Sequence, residues 1–86
     1  MNNVRLGGKG SPLSIRVGKW VRHFRQRACM SQIDLHEKTM VSLSHISRIE
    51  QGAGNPTLQM LEALARGLKC AVTDLLQESD PEGDSI

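Results

Sequence analysis

The sequence predicts a single all-α domain of five helices. Its 86 residues, of which 38% are hydrophobic, suffice for one small core. The apolar residues recur at intervals of three and four, and no window alternates strictly enough to indicate a β-sheet. Serine and threonine at helix-capping positions precede the apolar stripes. One Trp, one Phe and no Tyr indicate an aliphatic core.

The first helix is predicted to begin at Ser11-Pro12 and to run to about Ala28. Serine is a favourable N-cap and proline suits the first turn, although Ser14 is a rival cap. Trp20 lies beside the buried stripe of this helix, and we expect it to be half exposed. The stripe itself consists of Val17, Val21 and Phe24.

Two short helices joined by a tight turn are predicted between Ser31 and Gln51. Ser31 and Asp34 have the spacing of a capping box, and Ser42 caps the second helix. Helices this short cannot bury themselves alone, so they must pack on the rest of the chain and leave one face free for a partner. The apolar positions are Ile33, Leu35, Val41, Ile46 and Ile49. The other face of the second helix carries Leu43, Ser44, Ser47 and Arg48.

A turn-rich loop over residues 52–56 precedes the fourth helix, which Thr57 caps. The apolar stripe of that helix is Leu58, Leu61, Leu64, Ala65 and Leu68. A last short helix follows Val72-Thr73. Residues 60–76 carry more apolar surface than one small core needs, which favours a symmetric contact between two copies. The expected contact residues are Leu68, Val72, Leu75 and Leu76, and the alternative is that all of these side chains are internal.

Both ends of the chain are predicted to lie outside the folded domain, which spans residues 11–78. Residues 1–10 are glycine-rich and are expected to form a flexible arm. Residues 79–86 are polar and acidic and are expected to be disordered. The first part of the chain is basic up to Asp34, whereas acidic residues crowd the end. This distribution favours a polyanionic partner for the front half, and two solvated ends are the alternative.

The stretch from Ser31 to Leu68 resembles the helix-turn-helix of phage Cro and repressor DNA-binding domains. The shared pattern is SQxxL, then VS, ISRIExG and NPTLxxLxxLAxxL, and the likeness extends from about Val17 to Leu76. The resemblance implies a five-helix repressor-like fold. It also implies an ion pair between Arg25 and Glu50, beneath the third helix.

The sequence departs from the family pattern at several positions. Cys29, Met40 and Lys69 stand where relatives often have glycine, and a side chain at a positive φ costs about 1 kcal/mol. His36 replaces a small alanine where the second and third helices meet. We expect either a wider helix crossing or an imidazole turned out to solvent. Met30 is expected to turn inward.

The resemblance implies a transcriptional regulator, a homodimeric repressor that reads a palindromic operator in double-stranded DNA through the third helix. It assigns base contacts to Leu43, Ser44, Ser47 and Arg48. It assigns phosphate contacts to Gln32, Asn55, Arg22 and Arg27. The alternatives are a phosphate contact or a free cation for Arg48, and a simple turn residue for Asn55. The arm is expected to be plain flexible chain, and the alternative is a strand that follows a DNA groove through Arg5 and Lys9.

No catalytic constellation is visible, so we expect neither enzyme activity nor a cofactor. Cys29 and Cys70 lack metal-binding spacing, which predicts no metal site and reduced thiols in a cytoplasmic protein. No signal peptide or membrane-spanning run is present in the sequence. An antitoxin that binds a protein partner as well as DNA is the alternative function, and the acidic tail, poor in large apolar anchors, argues against it.

Overall fold

The computed structural model describes residues 10–81, and these form five helices. α1 packs against α3, α4 and α5, and α2 packs against α3 and α4. The predicted five-helix all-α fold is therefore confirmed. Residues 82–86 and most of the predicted arm, including Arg5 and Lys9, lie outside the described residues. The helices are α1 (Pro12–Arg27), α2 (Gln32–Thr39), α3 (Leu43–Glu50), α4 (Leu58–Leu68) and α5 (Val72–Leu75).

Hydroxyl side chains cap the first four helices at the predicted positions. The Asp34 carboxylate also accepts the Ser31 backbone N–H at 2.9 Å, which completes the predicted capping box. This backbone hydrogen bond, helped by the nearby Ser31 hydroxyl, lowers the pKa of Asp34. The four capping oxygens are those of Ser11 (from Ser14 N–H, 3.1 Å), Ser31 (from Asp34, 2.9 Å), Ser42 (from His45, 3.2 Å) and Thr57 (from Met60, 3.0 Å).

A largely aliphatic core, which also contains Trp20, lies at the centre of the five helices. Phe24 and Met30 pack against its edge as partly buried side chains. Ile33 was predicted to belong to the apolar set, and this was wrong because 54% of it is exposed. Residues two apart on a helix do not share a face, so Ile33 and Leu35 cannot both point inward. The largest fully buried side chains in the described part of the chain are Val21, Leu35, Ile46, Leu64 and Leu75.

The segment after α5 folds back along α1. The Trp20 indole N–H donates to the Ser79 carbonyl oxygen at 2.9 Å, and Lys19 Nζ lies 3.2 Å from the Asp80 carboxylate. One turn earlier, Arg16 Nε donates to the Gln77 carbonyl oxygen at 3.2 Å. Trp20 is therefore buried, not half exposed as predicted. Contacts with α1 therefore extend to Asp80, two residues beyond the predicted end of the domain.

Within residues 10–81, three residues other than glycine adopt the left-handed backbone conformation. The φ angles are 59° at Cys29, 64° at Met40 and 60° at Lys69. These are the positions where the resemblance leads one to expect glycine. All three side chains are exposed. The three turns therefore have the backbone conformation expected of glycine, and the Cβ atom at each position costs about 1 kcal/mol of strain.

Candidate nucleic-acid interface

The free face of α3 carries the four side chains that the resemblance assigns to base contacts. Leu43 is 38% exposed, Ser44 and Arg48 are exposed, and Ser47 is partly buried. At 3.6 residues per turn these positions share one side of the helix. The opposite side, with Ile46 and Ile49, is buried in the core. The structure thus brings the four residues together on one surface of a helix held from beneath.

The amino-terminal turn of α3 is fixed by Ser42. Its hydroxyl oxygen accepts the backbone N–H of His45 and also lies 2.7 Å from His45 Nδ1. Leu43 and Ser44 project from this same turn. Because the free N–H groups and the helix dipole make a helix amino terminus positive, this end of α3 favours an anionic partner.

The carboxyl-terminal end of α3 is fixed by an ion pair with α1. Arg25 Nε donates to Glu50 Oε2 at 2.6 Å, and Arg25 Nη2 donates to Glu50 Oε1 at 2.9 Å. The Glu50 side chain is only 4% exposed. Its hydrogen bonds with Arg25 raise the pKa of the guanidinium. The pair expected from the resemblance is present, and its bidentate geometry fixes the two helices against each other.

Two further contacts extend this ion pair into a network. Arg25 Nη1 donates to the Met30 carbonyl oxygen at 2.8 Å, which ties in the turn between α1 and α2. Gln32, the first residue of α2, donates from Nε2 to Glu50 Oε1 at 3.0 Å. An amide nitrogen has two N–H groups, so one remains for another acceptor. Gln32 is thus oriented by Glu50 at the amino terminus of α2.

Gly18 allows α1 and α3 to approach each other closely. A Cβ atom at this position would collide with the carbonyl oxygen of Ile49. The close approach brings the backbone of α1 next to the end of α3 that carries Glu50. Sequence reasoning gave Gly18 no role, although a glycine inside a helical stripe is a signal of tight packing.

The turn between α2 and α3 is held by a histidine. His36 is partly buried, and its Nδ1 lies 2.8 Å from the Val41 carbonyl oxygen. The expectation of an imidazole turned out to solvent was therefore wrong. The ring instead bonds across the turn, while Met40 at its apex remains 79% exposed.

Arg48 lies over the loop that follows α3. A Cβ atom on Gly54 would be 3.6 Å from Arg48 Nε, and Gly54 has a φ of 80°. Arg48 and Asn55 line one open groove of about 290 Å³, together with Met60. The structure therefore places a predicted base ligand beside a predicted phosphate ligand.

The other two predicted phosphate ligands lie on α1. Arg22 is exposed and lines a separate groove beside Glu50. Arg27 is exposed at the last position of α1. Neither residue lines the groove that contains Asn55.

The four predicted dimer residues do not form one surface. Leu75 is fully buried and Leu68 is 7% exposed within the single chain, so the predicted contact through these two was wrong. The side chains of Leu68 and Leu75 pack in the core of the single chain. Val72 and Leu76 are partly buried at the edge of the core and keep some free surface.

The remaining chemistry of residues 10–81 is limited. Within that range no group of three or more His, Cys, Asp or Glu side chains could hold a metal ion, and no helix is long and apolar enough to span a bilayer. Cys29 is exposed and Cys70 is partly buried, and neither is in a disulfide. Burial, and to a lesser degree the Asp74 carboxylate, raises the pKa of the Cys70 thiol.

Sequence reasoning missed Gln51 and His45 at this interface. Gln51 Nε2 donates to the Ser47 hydroxyl at 3.0 Å and so extends the free face of α3. The signal was available, since residues four apart share a helical face. His45 could have been found in the same way, as the third residue after the capping Ser42.

The helix-turn-helix family model matches residues 21–75 of this chain. The match covers more than half of the chain, from within α1 to the end of α5. The chain therefore belongs to the helix-turn-helix family, as its resemblance to phage Cro and repressor domains predicted.

Known relatives and solved structures agree with this membership. An immunity repressor protein of Bacillus phage phi105 is 34% identical over 62 residues, which are 72% of this chain and 43% of that protein. The chain thus spans less than half the length of this relative.

Among solved structures, one is SinR, described as the master regulator for biofilm formation and solved in complex with DNA. SinR is 32% identical to this chain and has a TM-score of 0.68. The match covers 71% of this chain and 98% of the SinR chain. The wild-type restriction-modification controller protein C.Esp1396I is 29% identical, with a TM-score of 0.70 over 76% and 84%. The hypothetical transcription factor NHTF from Neisseria has a TM-score of 0.75 over 96% and 97%; at 22% identity it supports the fold alone.

Proposed function

We propose that this chain is a transcriptional regulator that binds double-stranded DNA in a sequence-specific manner through α3. The observation that carries the proposal is the free face of α3, with its positive amino terminus outward and its far side anchored in the core. Membership of the helix-turn-helix family supports it. So do the phage immunity repressor and SinR, whose structure includes DNA.

In this proposal the first turn of α3 enters the major groove and four side chains meet base edges. Leu43 offers apolar contact, which suits a thymine methyl group, and Ser44 and Ser47 offer hydroxyl groups. Arg48 supplies a bidentate contact to guanine. Because Arg48 rests over Gly54 in the free protein, it has to swing away from the loop to reach a base.

Phosphate contacts flank these base contacts on both sides of α3. On one side, Gln32 uses its second amide N–H, since Glu50 already accepts the first. On the other side, Asn55 and the loop around Gly54 approach the backbone. Arg22 and Arg27 add attraction from α1. Together these groups position α3, whereas the base contacts specify the sequence.

A homodimer on a palindromic operator supplies the affinity that one small domain lacks. The contact between copies is proposed at α5, through the free parts of Val72 and Leu76. Occupation of the operator blocks a promoter, so the regulator is a repressor. This part of the proposal is supported by the repressor relative.

Selection of bound DNA from a random pool tests the proposal. The wild-type chain is expected to enrich a palindromic sequence. The Arg48→Ala variant is expected to lose one guanine preference in each half-site while it keeps the others. An equal loss of affinity for all sequences would make Arg48 a phosphate ligand. Failure to enrich any sequence would contradict specific DNA binding.

Sedimentation velocity tests the contact between copies. The Leu76→Asp variant is expected to sediment as a monomer, since a carboxylate in an apolar contact is poorly tolerated. Leu58→Asp is the control, because Leu58 is 76% exposed at the first position of α4, whereas α5 follows the other end of that helix. A Leu76→Asp variant that dimerises as well as the control would place the contact elsewhere.

A further inference from the structure

An open groove of about 390 Å³ lies along α1, beside the end of α3. Its lining residues are Lys19, Arg22, His23, Gln26 and Glu50. The first four stand at positions i, i+3, i+4 and i+7, so they form one strip of a single helix. We call this surface the α1 groove.

Hydrogen-bond donors dominate the α1 groove. Lys19 and Arg22 are cations, and His23 and Gln26 add ring and amide N–H groups. Glu50 is the acid among the lining residues, and its carboxylate is already paired with Arg25 and bonded by Gln32. The groove therefore presents positive charge and N–H donors, which is the chemistry that recognises a phosphodiester.

The α1 groove is continuous with one of the proposed phosphate sites. Glu50 lines the groove and also accepts the hydrogen bond from Gln32 at the start of α2. On the helical wheel of α3, Glu50 and Arg48 flank the free face on opposite sides. The groove thus lies on the Gln32 side of α3, opposite the side of Arg48 and Asn55.

We propose that the α1 groove holds a phosphate of the DNA that lies outside the base pairs read by α3. The inference rests on the proposed function and extends its footprint along the duplex. Lys19 and Arg22 supply the charge, and His23 and Gln26 donate hydrogen bonds to the phosphate oxygens. Specificity is unchanged, because a backbone contact carries no base information.

The segment after α5 limits this contact. Asp80 pairs with Lys19 at the edge of the groove, with both side chains substantially exposed. An exposed pair of this kind is weak and exchanges readily for another anion. Bound DNA therefore competes with Asp80 for Lys19. Removal of the Asp80 charge should strengthen binding to flanking DNA.

Two duplexes that carry the selected operator test the proposal. The short duplex ends at the outermost base pair of each half-site, and the long duplex adds about one helical turn on each side. The wild-type chain should bind the long duplex roughly tenfold more tightly at moderate salt, as two extra cation–phosphate contacts imply. Lys19→Gln/Arg22→Gln should lose this advantage, whereas its affinity for the short duplex should fall only by the smaller amount that the general attraction of Arg22 contributes.

Two further variants sharpen the test. Asp80→Asn, which preserves side-chain size, should increase the advantage of the long duplex. Lys38→Gln/Arg66→Gln is the matched control: it removes the same charge from a different groove, between the ends of α2 and α4. It should leave the advantage intact. Circular dichroism checks that each variant is folded.

Equal binding of the two duplexes by the wild-type chain would overturn the α1-groove proposal. A control that loses the advantage as fully as Lys19→Gln/Arg22→Gln would also overturn it, since general charge would then explain the effect. In both cases specific binding of the short duplex would preserve the proposed function. Absence of binding to either duplex would overturn that function as well.

Discussion

The two ends of α3 are held in different ways. At the carboxyl-terminal end, Glu50 connects three helices through Arg25 and Gln32 and is nearly inaccessible to solvent. At the amino-terminal end, the hydroxyl of Ser42 caps a turn within its own helix. The first arrangement sets the angle of α3 on the domain, whereas the second shapes only the exposed turn. Side chains on that turn can therefore change without loss of the fold.

The largest effect is expected from Arg25→Ala. This change leaves the largely enclosed Glu50 carboxylate without its cation, although Gln32 still donates to it, so the free energy of unfolding should fall by about 2 kcal/mol. Urea denaturation of the variant and the wild-type chain measures it.

The double variant Arg25→Ala/Glu50→Ala is the control for this prediction. Removal of both partners leaves no unpaired buried charge, so it should be more stable than Arg25→Ala alone. If the double variant were the less stable of the two, the ion pair would not be what anchors this end of α3.

A smaller effect is expected at the other end from Ser42→Ala. Loss of the cap should lower the free energy of unfolding by about 1 kcal/mol. Thr57→Ala, which removes the cap of α4, should have a similar effect. The loss from Ser42→Ala should also be the same in an Arg25→Ala background, because the two ends of α3 share no partner. Strong coupling between the two changes would show that the ends are not independently held.

A substitution in a left-handed turn should have a still smaller effect on the free energy of unfolding, and it should stabilise the chain. Met40→Gly should raise the free energy of unfolding by about 0.5 kcal/mol, because relief of the Cβ strain exceeds the added entropy of the unfolded chain. Met40→Ala keeps the Cβ and should give no such gain. Thermal unfolding of both variants tests this, and a stabilised alanine variant with an unchanged glycine variant would contradict it.

The capping box of α2 should contribute a modest dependence of stability on pH. Since folding lowers the pKa of Asp34, its contribution is fully present above the unfolded value of about 3.9 and is lost as the pH falls through the folded value. Asp34→Asn should therefore be less stable than the wild-type chain at neutral pH, and the difference should shrink in acid. A difference that stayed constant from neutral to acidic pH would rule out this titration.

Local features of the fold could be predicted from the sequence. The four hydroxyl caps and the inward face of α3 depend on spacings of three and four residues, which the sequence displays directly. The pair between Arg25 and Glu50 was anticipated only through the family resemblance, because nothing in the local pattern links two residues so far apart.

Non-local features could not be predicted in this way. The burial of Trp20 depends on a carbonyl group 59 residues away along the chain. The burial of Leu75 could not be predicted either, because an apolar residue at this position of a short helix is equally consistent with a core residue and a dimer contact. The family resemblance assigned Gln32 to a phosphate contact. Its hydrogen bond to Glu50 could not be predicted, because that bond depends on how α2 and α3 pack.

Two exposed leucines offer the most direct measurement of where DNA binds. Leu43 and Leu58 each occupy the first position of a capped helix, on α3 and α4 respectively. A carboxylate at position 43 would face the phosphates, so Leu43→Glu should weaken binding to the selected operator by about a hundredfold or more. Leu58→Glu adds the same charge to α4 and should leave the affinity within a few-fold of that of the wild-type chain. Equal binding by the two variants would contradict insertion of the first turn of α3 into the duplex.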